Sequence, residues 1–480
     1  MKGLLLLLCL ISYCAVSQHV YQVNEVETAA EPSGGVSMLN HFISSNMHLP
    51  IREASKGLNS RVFVKGIVEL DGSMSGLEIV RGIDSICNKE ALRIMSLYSA
   101  WKPALVKGAK VRQSLIYPVT FKIDKIANFD STLHARVYYL DKNEIQTNEA
   151  GGAKNRIVLP VDLHGYVNQD IQYQTLKGGK WKTSTTFPVQ KSEKWVKTNE
   201  GMKRDSILVT QISVPNAELN KYFQEVNLKK DGTLWSYTDY NSHGSPILTK
   251  TYYLNGVLKQ TDEITEGRLL TTRWFNSGIL QSVTESQSEV LKMSPLIIKG
   301  VWDQQGNAIV KDGDGWCKLP SESLGGRQVW EEGKVEKDLK TGKWVGKLAD
   351  STLVFEEYYD AGNLQNGTSF ENGTQTAYSS SIQQPEFAGG ITNMYRFLAQ
   401  NIQYPSNASK SRISGRVMLS FVVCEDGSLC DYKVEKGRGF GLDDEALRVV
   451  KKMNGLWEPG RVRGKKVRVK YNLPVNFQLQ

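Results

Sequence analysis

The chain ends on the stretch WEPGRVRGKKVRVKYNLPVNFQL at residues 457–479, and residues 101–123 carry the related stretch WKPALVKGAKVRQSLIYPVTFKI. In the later stretch, apolar and polar side chains alternate. The apolar set is Val467, Val469, Tyr471, Leu473, Val475, Phe477 and Leu479. The polar set is Arg468, Lys470, Asn472, Pro474, Asn476 and Gln478. This period of two predicts an antiparallel strand with one buried and one solvated face.

The two stretches belong to a longer repeat. The regions around them match at an offset of 355 residues, which becomes 356 after a single-residue insertion. The matched positions are Gly34-Gly35 with Gly389-Gly390, Asp71-Gly72 with Asp426-Gly427, Glu90 to Arg93 with Glu445 to Arg448, and Pro118 and Phe121 with Pro474 and Phe477. So many matches in register indicate two diverged copies of one domain.

The periodicity of the second copy predicts its architecture. A helical stripe that ends before Pro405 consists of Ile391, Met394, Tyr395, Leu398 and Ile402. Alternating residues on either side of Asp426-Gly427 predict a hairpin. A second helix begins near Leu442, with three acidic residues in its first turn. We therefore predict two α+β end domains, each an antiparallel three-stranded sheet with helices on one face, flanking a mainly β repeat region.

These motifs together resemble the TonB C-terminal domain. The resemblance rests on the order and spacing of Tyr404-Pro405, Asp426-Gly427-Ser428, Glu445 to Arg448, Trp457 to Pro459 and Leu473 to Phe477. It covers residues 29–124 and 382–480. The family resemblance implies that a short extended peptide of an outer-membrane transporter adds to a sheet edge. It also implies coupling to a proton-driven complex of the inner membrane, if the chain is anchored there.

The last strand is the candidate partner site, since it should lie at a sheet edge with unpaired backbone groups. The predicted partner-binding residues are Arg468, Val469, Lys470, Tyr471, Asn472 and Leu473. Arg468 and Lys470 would steer acidic partner residues; the alternative is that they are solvated charges that prevent edge-to-edge aggregation. In the first copy, Gln113 and Ser114 replace Val469 and Lys470, so that copy can have lost the site.

The N-terminus predicts export. Lys2 is followed by an apolar run to Val16, and small residues precede a cleavage point after Ser17. We therefore predict a signal peptide at residues 1–17 and a periplasmic or other cell-envelope location. The run is shorter than the ~20 residues of a spanning helix. An uncleaved anchor, which would make the chain an energy transducer, is the alternative.

Residues 125–380 form a different region, in which aromatic residues precede glycine turns. The repeated units are Tyr252 to Gly256, Trp274 to Gly278, Trp302 to Gly306 and Tyr358 to Gly362. The pattern resembles MORN-type hairpin repeats. The aromatics would serve as packing between hairpins or, alternatively, as a ladder for glycans or peptides. Residues 190–206 are expected to be a linker or exposed loop, and residues 379–384 a linker into the second copy.

The net charge of +9 in an exported chain favours acidic envelope partners or solvated lysines over nucleic acid. The sequence has no zinc-protease, P-loop or nucleophile-elbow motif, so we predict no enzyme, metal or cofactor. Cys424 and Cys430 flank a hairpin. A loop of Asp426, Gly427 and Ser428 would set them opposite each other as a possible disulfide, whereas a two-residue turn would leave them free.

The preferred function is therefore a TonB-like envelope protein that binds an outer-membrane transporter or another envelope protein by β-strand addition, in transport across the outer membrane. The first alternative is a membrane-anchored energy transducer. The second is a structural repeat scaffold whose end domains form a homodimer.

Overall fold

The computed structural model describes residues 19–48, 50–123, 125, 128–142, 146–147, 151–198, 206–213, 224–241, 245–287, 294–324 and 327–479. The predicted signal peptide, residues 1–17, lies outside the described residues. The chain divides into two compact units, Met1–Asp312 and Gly313–Gln480. Within the described ranges, strand dominates and six α-helices occur, all of them near the two ends of the chain. The predicted mainly β chain with α+β ends is confirmed.

The first unit begins with an α+β domain. Its strands are β1 Val20–Tyr21, β2 Glu31–Pro32, β3 Leu58–Val68, β4 Met74–Arg81, β5 Trp101–Lys102, β6 Ala104–Val106 and β7 Ala109–Ile123. Its helices are α1 Gly35–Asn46, α2 Ile51–Ala54 and α3 Ser85–Leu97, and Val23–Glu25 forms a 3-10 turn. The main sheet has the order β1-β7-β3-β4, and β6 also pairs with β7. This sheet is therefore larger than the three strands that we predicted, because β1 and β6 extend it.

The next segment forms its own sheet. Its strands are β8 Phe129–Asp130, β9 Ala135–Leu140, β10 Gln146–Thr147, β11 Asn155–Pro160, β12 Ile171–Lys177 and β13 Lys180–Phe187. Their order is β10-β9-β11-β12-β13, with β8 paired to β9. Its apolar core includes Ile157, Leu159 and Ile171.

A meander completes the first unit, in which each strand pairs antiparallel with the next one in sequence. The strands are β14 Gln190–Lys197, β15 Ser206–Ser213, β16 Gln224–Lys229, β17 Leu234–Tyr240, β18 Pro246–Tyr252, β19 Leu258–Thr265, β20 Arg268–Trp274, β21 Leu280–Gln287, β22 Ile297–Trp302 and β23 Ala308–Lys311. Residues 190–197 are thus a strand and not a loop, because their backbone pairs with that of β15 from one end of the segment to the other.

The aromatic residues before the glycine turns of this meander are packing residues. Tyr252 and Trp274 are each 2% exposed and lie in one apolar cluster with Leu258 and Leu280. This burial favours the packing interpretation at these two positions over the glycan ladder. The resemblance to MORN-type repeats remains a prediction.

The second unit begins with a further antiparallel meander, of β24 Asp314–Leu324, β25 Arg327–Glu336, β26 Leu339–Lys347, β27 Leu353–Asp360, β28 Asn363–Glu371 and β29 Thr374–Tyr378. Its C-terminal domain has the helices α4 Gly390–Asn401, α5 Ser406–Lys410 and α6 Leu442–Lys451. The strands of this domain are β30 Ile382–Gln383, β31 Glu386–Phe387, β32 Gly415–Val423, β33 Leu429–Lys436, β34 Trp457–Glu458, β35 Gly460–Val462, β36 Lys465–Val467 and β37 Val469–Phe477.

Three small sheets build this C-terminal domain. They have the orders β33-β32-β37, β30-β35-β36 and β31-β34. Part of the predicted linker at residues 379–384 is therefore a strand, since Ile382 pairs with Val462. The helices and the first sheet enclose a core that includes Leu398, Phe421, Val449, Leu473 and Phe477.

The repeated Glu-Ala-Leu-Arg motif forms the same clamp around a buried glutamate in both end domains. In α6, Arg448 donates to both carboxylate oxygens of Glu445 at 2.7 Å and to the carbonyl oxygen of Asn401 at 2.7 Å. The backbone N–H of Gln403 donates to the same carboxylate at 2.6 Å. In the first copy, Glu90 and Arg93 make the corresponding contacts with His48 N–H and Asn46 O. The clamp ties α6 to the chain that follows α4, and it ties α3 to the chain that follows α1.

The repeated Asp-Gly turn also has a structural role. Gly427 has φ +84°, and a side-chain Cβ there would lie 2.3 Å from the carbonyl oxygen of Trp457. Gly72 has φ +86°, and its Cβ would lie 2.5 Å from the carbonyl oxygen of Trp101. Only glycine allows both the positive φ and this close backbone approach. The Trp-x-Pro strand therefore packs directly against the hairpin turn in each copy.

A buried ionic cluster joins the C-terminal domain to the meander of the second unit. Arg463 donates to Glu357 at 2.9 Å and stacks on Phe355 at 3.7 Å. The side chains of Arg463 and Glu357 are 10% and 0% exposed. Tyr359 and Tyr378 also donate to this carboxylate, at 2.8 and 2.9 Å. Because all groups are paired, the cluster fixes the β35–β36 turn on the meander.

We expect the Glu445→Gln substitution to lower the free energy of unfolding by about 1–3 kcal/mol at pH 7. The reason is that an uncharged amide replaces the buried carboxylate, whose charge strengthens the hydrogen bonds that it accepts. Burial would raise the pKa of Glu445, but the hydrogen bonds from Arg448 and Gln403 outweigh it and lower that pKa. The difference from wild type should therefore persist above the usual glutamate pKa and shrink as pH falls below it. Urea unfolding at several pH values measures this.

The matched control for this prediction is Glu458→Gln, at an exposed position of β34. Equal destabilisation by both substitutions, or no change with pH, would contradict the role of the clamp.

Replacing Arg463 with alanine leaves Glu357 buried without its cation, so we expect a loss of about 3–5 kcal/mol in stability of the second unit. The double variant R463M/E357Q should recover part of this loss because no uncompensated charge remains. Guanidinium unfolding of the full chain provides the comparison. A double variant less stable than R463A would refute this account.

Candidate functional site

The candidate site is the outer edge of β37, the last strand of the C-terminal domain. On one side, Val469–Phe477 pairs with β32 in an unbroken antiparallel register from Val423↔Val469 to Gly415↔Phe477. On the other side, none of the described strands pairs with β37. Its backbone groups on that side are therefore free to bind another extended segment.

The direction of these backbone groups follows from the neighbouring turn. N–H and C=O groups alternate between the two sides of a strand. The N–H of Cys424 donates to the carbonyl oxygen of Ser428, the residue directly before β33. The backbone N–H and C=O groups of the even-numbered residues of β32 therefore point toward β33. The backbone groups of the odd-numbered residues of β32 and β37 then form the hydrogen bonds between these two strands. Arg468, Lys470 and Asn472 consequently present their backbone groups to the open edge, as does Pro474, which lacks a donor.

The side chains of the predicted site alternate as the sequence pattern indicated. Leu473 is buried, and Tyr471 and Val469 are half-buried. Tyr471 packs 4.8 Å from the Trp457 ring and 5.6 Å from the Phe421 ring. Burial raises the pKa of the Tyr471 hydroxyl. This face anchors the strand, whereas the exposed Arg468, Lys470 and Asn472 are available to a partner.

The two cations of the site are already paired within the domain. Arg468 Nη2 lies 2.8 Å from Asp431, and Lys470 Nζ lies 2.9 Å from Glu435. Hydrogen bonds from Lys433, Lys470 and Ser420 lower the pKa of Glu435 to about 2. These pairs are exposed and therefore weak, so an acidic partner can compete for the cations. Neither acid was predicted as part of the site, although Asp431 and Glu435 occupy alternate exposed positions of β33.

The two cysteines near the site are not opposite each other. The hairpin loop consists of Glu425, Asp426 and Gly427, one residue earlier than we predicted, because the Cys424 N–H closes onto Ser428 O. Cys430 therefore pairs with Val422. Both cysteines are free thiols. A hydrogen bond with the Cys424 thiol raises the pKa of the Cys430 thiol, and Arg468 Nη2 lies 3.3 Å from its sulfur.

Two kinds of feature are absent from the part of the chain that the structure describes. Within the described residues, no three or more His, Cys, Asp or Glu side chains come together in a group that could hold a metal ion. None of the helices in the same ranges has the length and apolarity needed to cross a bilayer.

Comparison with known proteins now adds to this geometry. The profile described as Gram-negative bacterial TonB protein C-terminal matches residues 45–123 and 400–479. Both ends of the chain carry a TonB-type domain. The matched regions make up about a third of the chain and include the whole of β7 and of β37. A search of curated proteins found no match.

Thiol labelling should separate the two cysteines at the site from two others. We expect a maleimide to modify Cys424 and Cys430 in the native protein, because both are partly exposed. Burial raises the pKa of Cys87 and of Cys317 to about 12, so these should react only after denaturation. Peptide mass mapping gives the result. Native labelling of Cys87 or Cys317 at a comparable rate would contradict the burial.

The same mapping without reductant tests the predicted disulfide. A bond between Cys424 and Cys430 would protect both from native labelling and lower the mass of their peptide by two hydrogens. Full labelling of both thiols after exposure to an oxidant would refute it.

Proposed function

We propose that the chain is an exported periplasmic protein that binds an extended segment of an outer-membrane transporter, or of another envelope protein, along the open edge of β37. The observation that carries this proposal is that β37 pairs with β32 on one side only, in the described part of the chain. The match of this domain to the TonB C-terminal family supports the same kind of partner.

Backbone hydrogen bonds would provide most of the affinity, as in other cases of strand addition. Arg468, Lys470 and Asn472 direct both N–H and C=O groups outward, so a partner strand can form a ladder with them. The network of Asp431, Glu435, Arg468 and Lys470 crosses the polar face of the sheet from β33 to β37, and charged partner residues at the edge would compete for its ion pairs. Its charges also discourage pairing between two copies of the edge.

Binding to an outer-membrane transporter would give the chain a part in transport across the outer membrane. An energy-transducing role additionally requires that the N-terminal segment be retained as an anchor in the inner membrane. N-terminal sequencing of the protein from the cell envelope separates the two: a chain that begins at Gln18 rules out the transducer.

The sharpest test of the edge is Lys470→Pro. Proline removes an outward N–H but keeps the ladder with β32, as Pro474 does in the same strand. A proline at Val469 or Tyr471 would instead break that ladder. We expect K470P to weaken binding about tenfold, the effect of roughly 1.4 kcal/mol. The probe is a synthetic peptide of a periplasm-facing extended segment of an outer-membrane transporter from the same organism, and titration calorimetry measures its affinity.

The matched control is Lys470→Ala, which removes the charge and retains the N–H. It should weaken binding less than K470P, and its effect should diminish with added salt. Equal binding by wild type and a folded K470P rules out this edge. Light scattering with and without peptide tests the scaffold alternative, since a dimer that persists in K470P and binds no peptide would favour it.

A further inference from the structure

The N-terminal TonB-type domain has its corresponding edge covered by a segment of its own chain. Strand β1 pairs with β7 in parallel, with Val20 opposite Arg112 and Tyr21 opposite Gln113. The repeat offset of 356 residues makes Arg112 and Gln113 the counterparts of Arg468 and Val469. Pro118 and Pro474 occupy the same register position, opposite Phe63 and Met418. The segment at Val20–Tyr21 therefore lies where β37 is open.

Several contacts hold this segment to the edge. The N–H of Ala30 donates to Gln113 Oε1 at 2.6 Å, and Gln113 is only 1% exposed. The carboxylate of Glu27 accepts the N–H of Lys107 at 2.9 Å, and Thr28 bridges to Leu105. The chain from Val20 to Ala30 thus runs along β7 and β6 and is fastened at both ends.

The C-terminal domain keeps the counterpart of the Thr28–Leu105 bridge, in which Gln383 pairs with Arg461, but it lacks the residues that make the other contacts. Pro385 is the counterpart of Ala30 and has no N–H to donate, and Val469 is the counterpart of Gln113 and has no side-chain acceptor. The counterparts of Val20 and Tyr21 are residues 375 and 376, which belong to β29 and pair with β28. The donor, the acceptor and the covering strand are therefore all absent from this second edge.

We infer that the N-terminal TonB-type domain is closed in cis by Val20–Tyr21, so that of the two corresponding edges, those of β7 and β37, only the edge of β37 is open to a foreign segment. The inference rests on the proposed function for the premise that such an edge binds partners. A tethered strand competes at an effective concentration in the millimolar range, of order 10⁻³ M. A foreign peptide of moderate affinity therefore binds the open edge of β37 and leaves β7 occupied.

The alternation of backbone groups indicates which bonds the covering strand makes. Pro118 of β7 has the same register position as Pro474 of β37. The backbone N–H and C=O groups of the even-numbered residues of β7 therefore point away from β3, as those of β37 point away from β32. Arg112 and Ser114 therefore direct their N–H groups toward β1, and Tyr21 directs its N–H toward the Arg112 carbonyl. A proline at Tyr21 removes that donor without altering β7 itself.

The test compares wild type, Tyr21→Pro and the control Tyr21→Ala, each as the full chain. Hydrogen exchange followed by mass spectrometry reports on residues 109–116. We expect about tenfold faster exchange of this segment in Y21P than in wild type or Y21A. The transporter peptide, followed by calorimetry, should bind with a stoichiometry of one to wild type and two to Y21P.

The possible results separate the two proposals. Equal exchange of residues 109–116 in wild type and Y21P overturns the closure in cis. Faster exchange in Y21P with a stoichiometry that stays at one shows that the uncovered β7 edge binds no partner, which also overturns the inference. No peptide binding by wild type, K470P or Y21P defeats the proposed function, whereas the exchange result still decides whether β1 covers β7.

Discussion

The buried carboxylate of Glu445, bound by Arg448 and by the backbone of Gln403, is the interaction on which the C-terminal domain depends. It joins α6 to the chain that leaves α4, so the two helices cover the same face of one sheet. In that sheet β32 is the central strand, and β33 and β37 are the edge strands. Glu90 and Arg93 form the same clamp in the N-terminal domain. One ionic clamp thus holds the helices on the sheet in both end domains.

The two end domains show how one scaffold can support opposite states of the same edge. The clamp and the glycine of the hairpin turn occur in both, and both are structural. The differences lie along the last strand, where Gln113 binds the returning chain and Val469 does not. Backbone hydrogen-bonding capacity is common to both edges, so occupancy is decided by a few side chains that fasten a covering segment.

The meander of the second unit is more than a spacer for the C-terminal domain. Arg463 reaches the meander from the β35–β36 turn. There Glu357 neutralises the charge of the guanidinium group, and aromatic side chains pack around the pair. Loss of either partner of such a buried ion pair is penalised, since the remaining charge is then uncompensated. The open edge of β37 is therefore carried on a domain whose position on this meander is defined by charge complementarity.

Much of the architecture could be predicted because it depends on local periodicity. The alternation from Val467 to Phe477 predicts a one-sided strand, and the matched Asp-Gly turns and Glu-Ala-Leu-Arg motifs predict two copies of one fold. Errors arose where pairing partners decide the outcome. Residues 190–197 look like a polar loop, yet β15 makes them a strand. The Cys424–Cys430 hairpin was placed one residue late, because loop register depends on which backbone groups close the turn.

The amino-acid sequence by itself determined the duplicated domain, its buried face and the residues of its last strand, since these follow from side-chain patterns within short segments. Only the tertiary structure decided that β7 is covered by Val20–Tyr21 and that Arg468 and Lys470 face Asp431 and Glu435. The covering segment lies about 90 residues before β7 in the chain, and its pairing uses backbone groups that every residue possesses. Such a contact leaves no periodic trace in sequence, and it emerges only when the fold brings the two segments together.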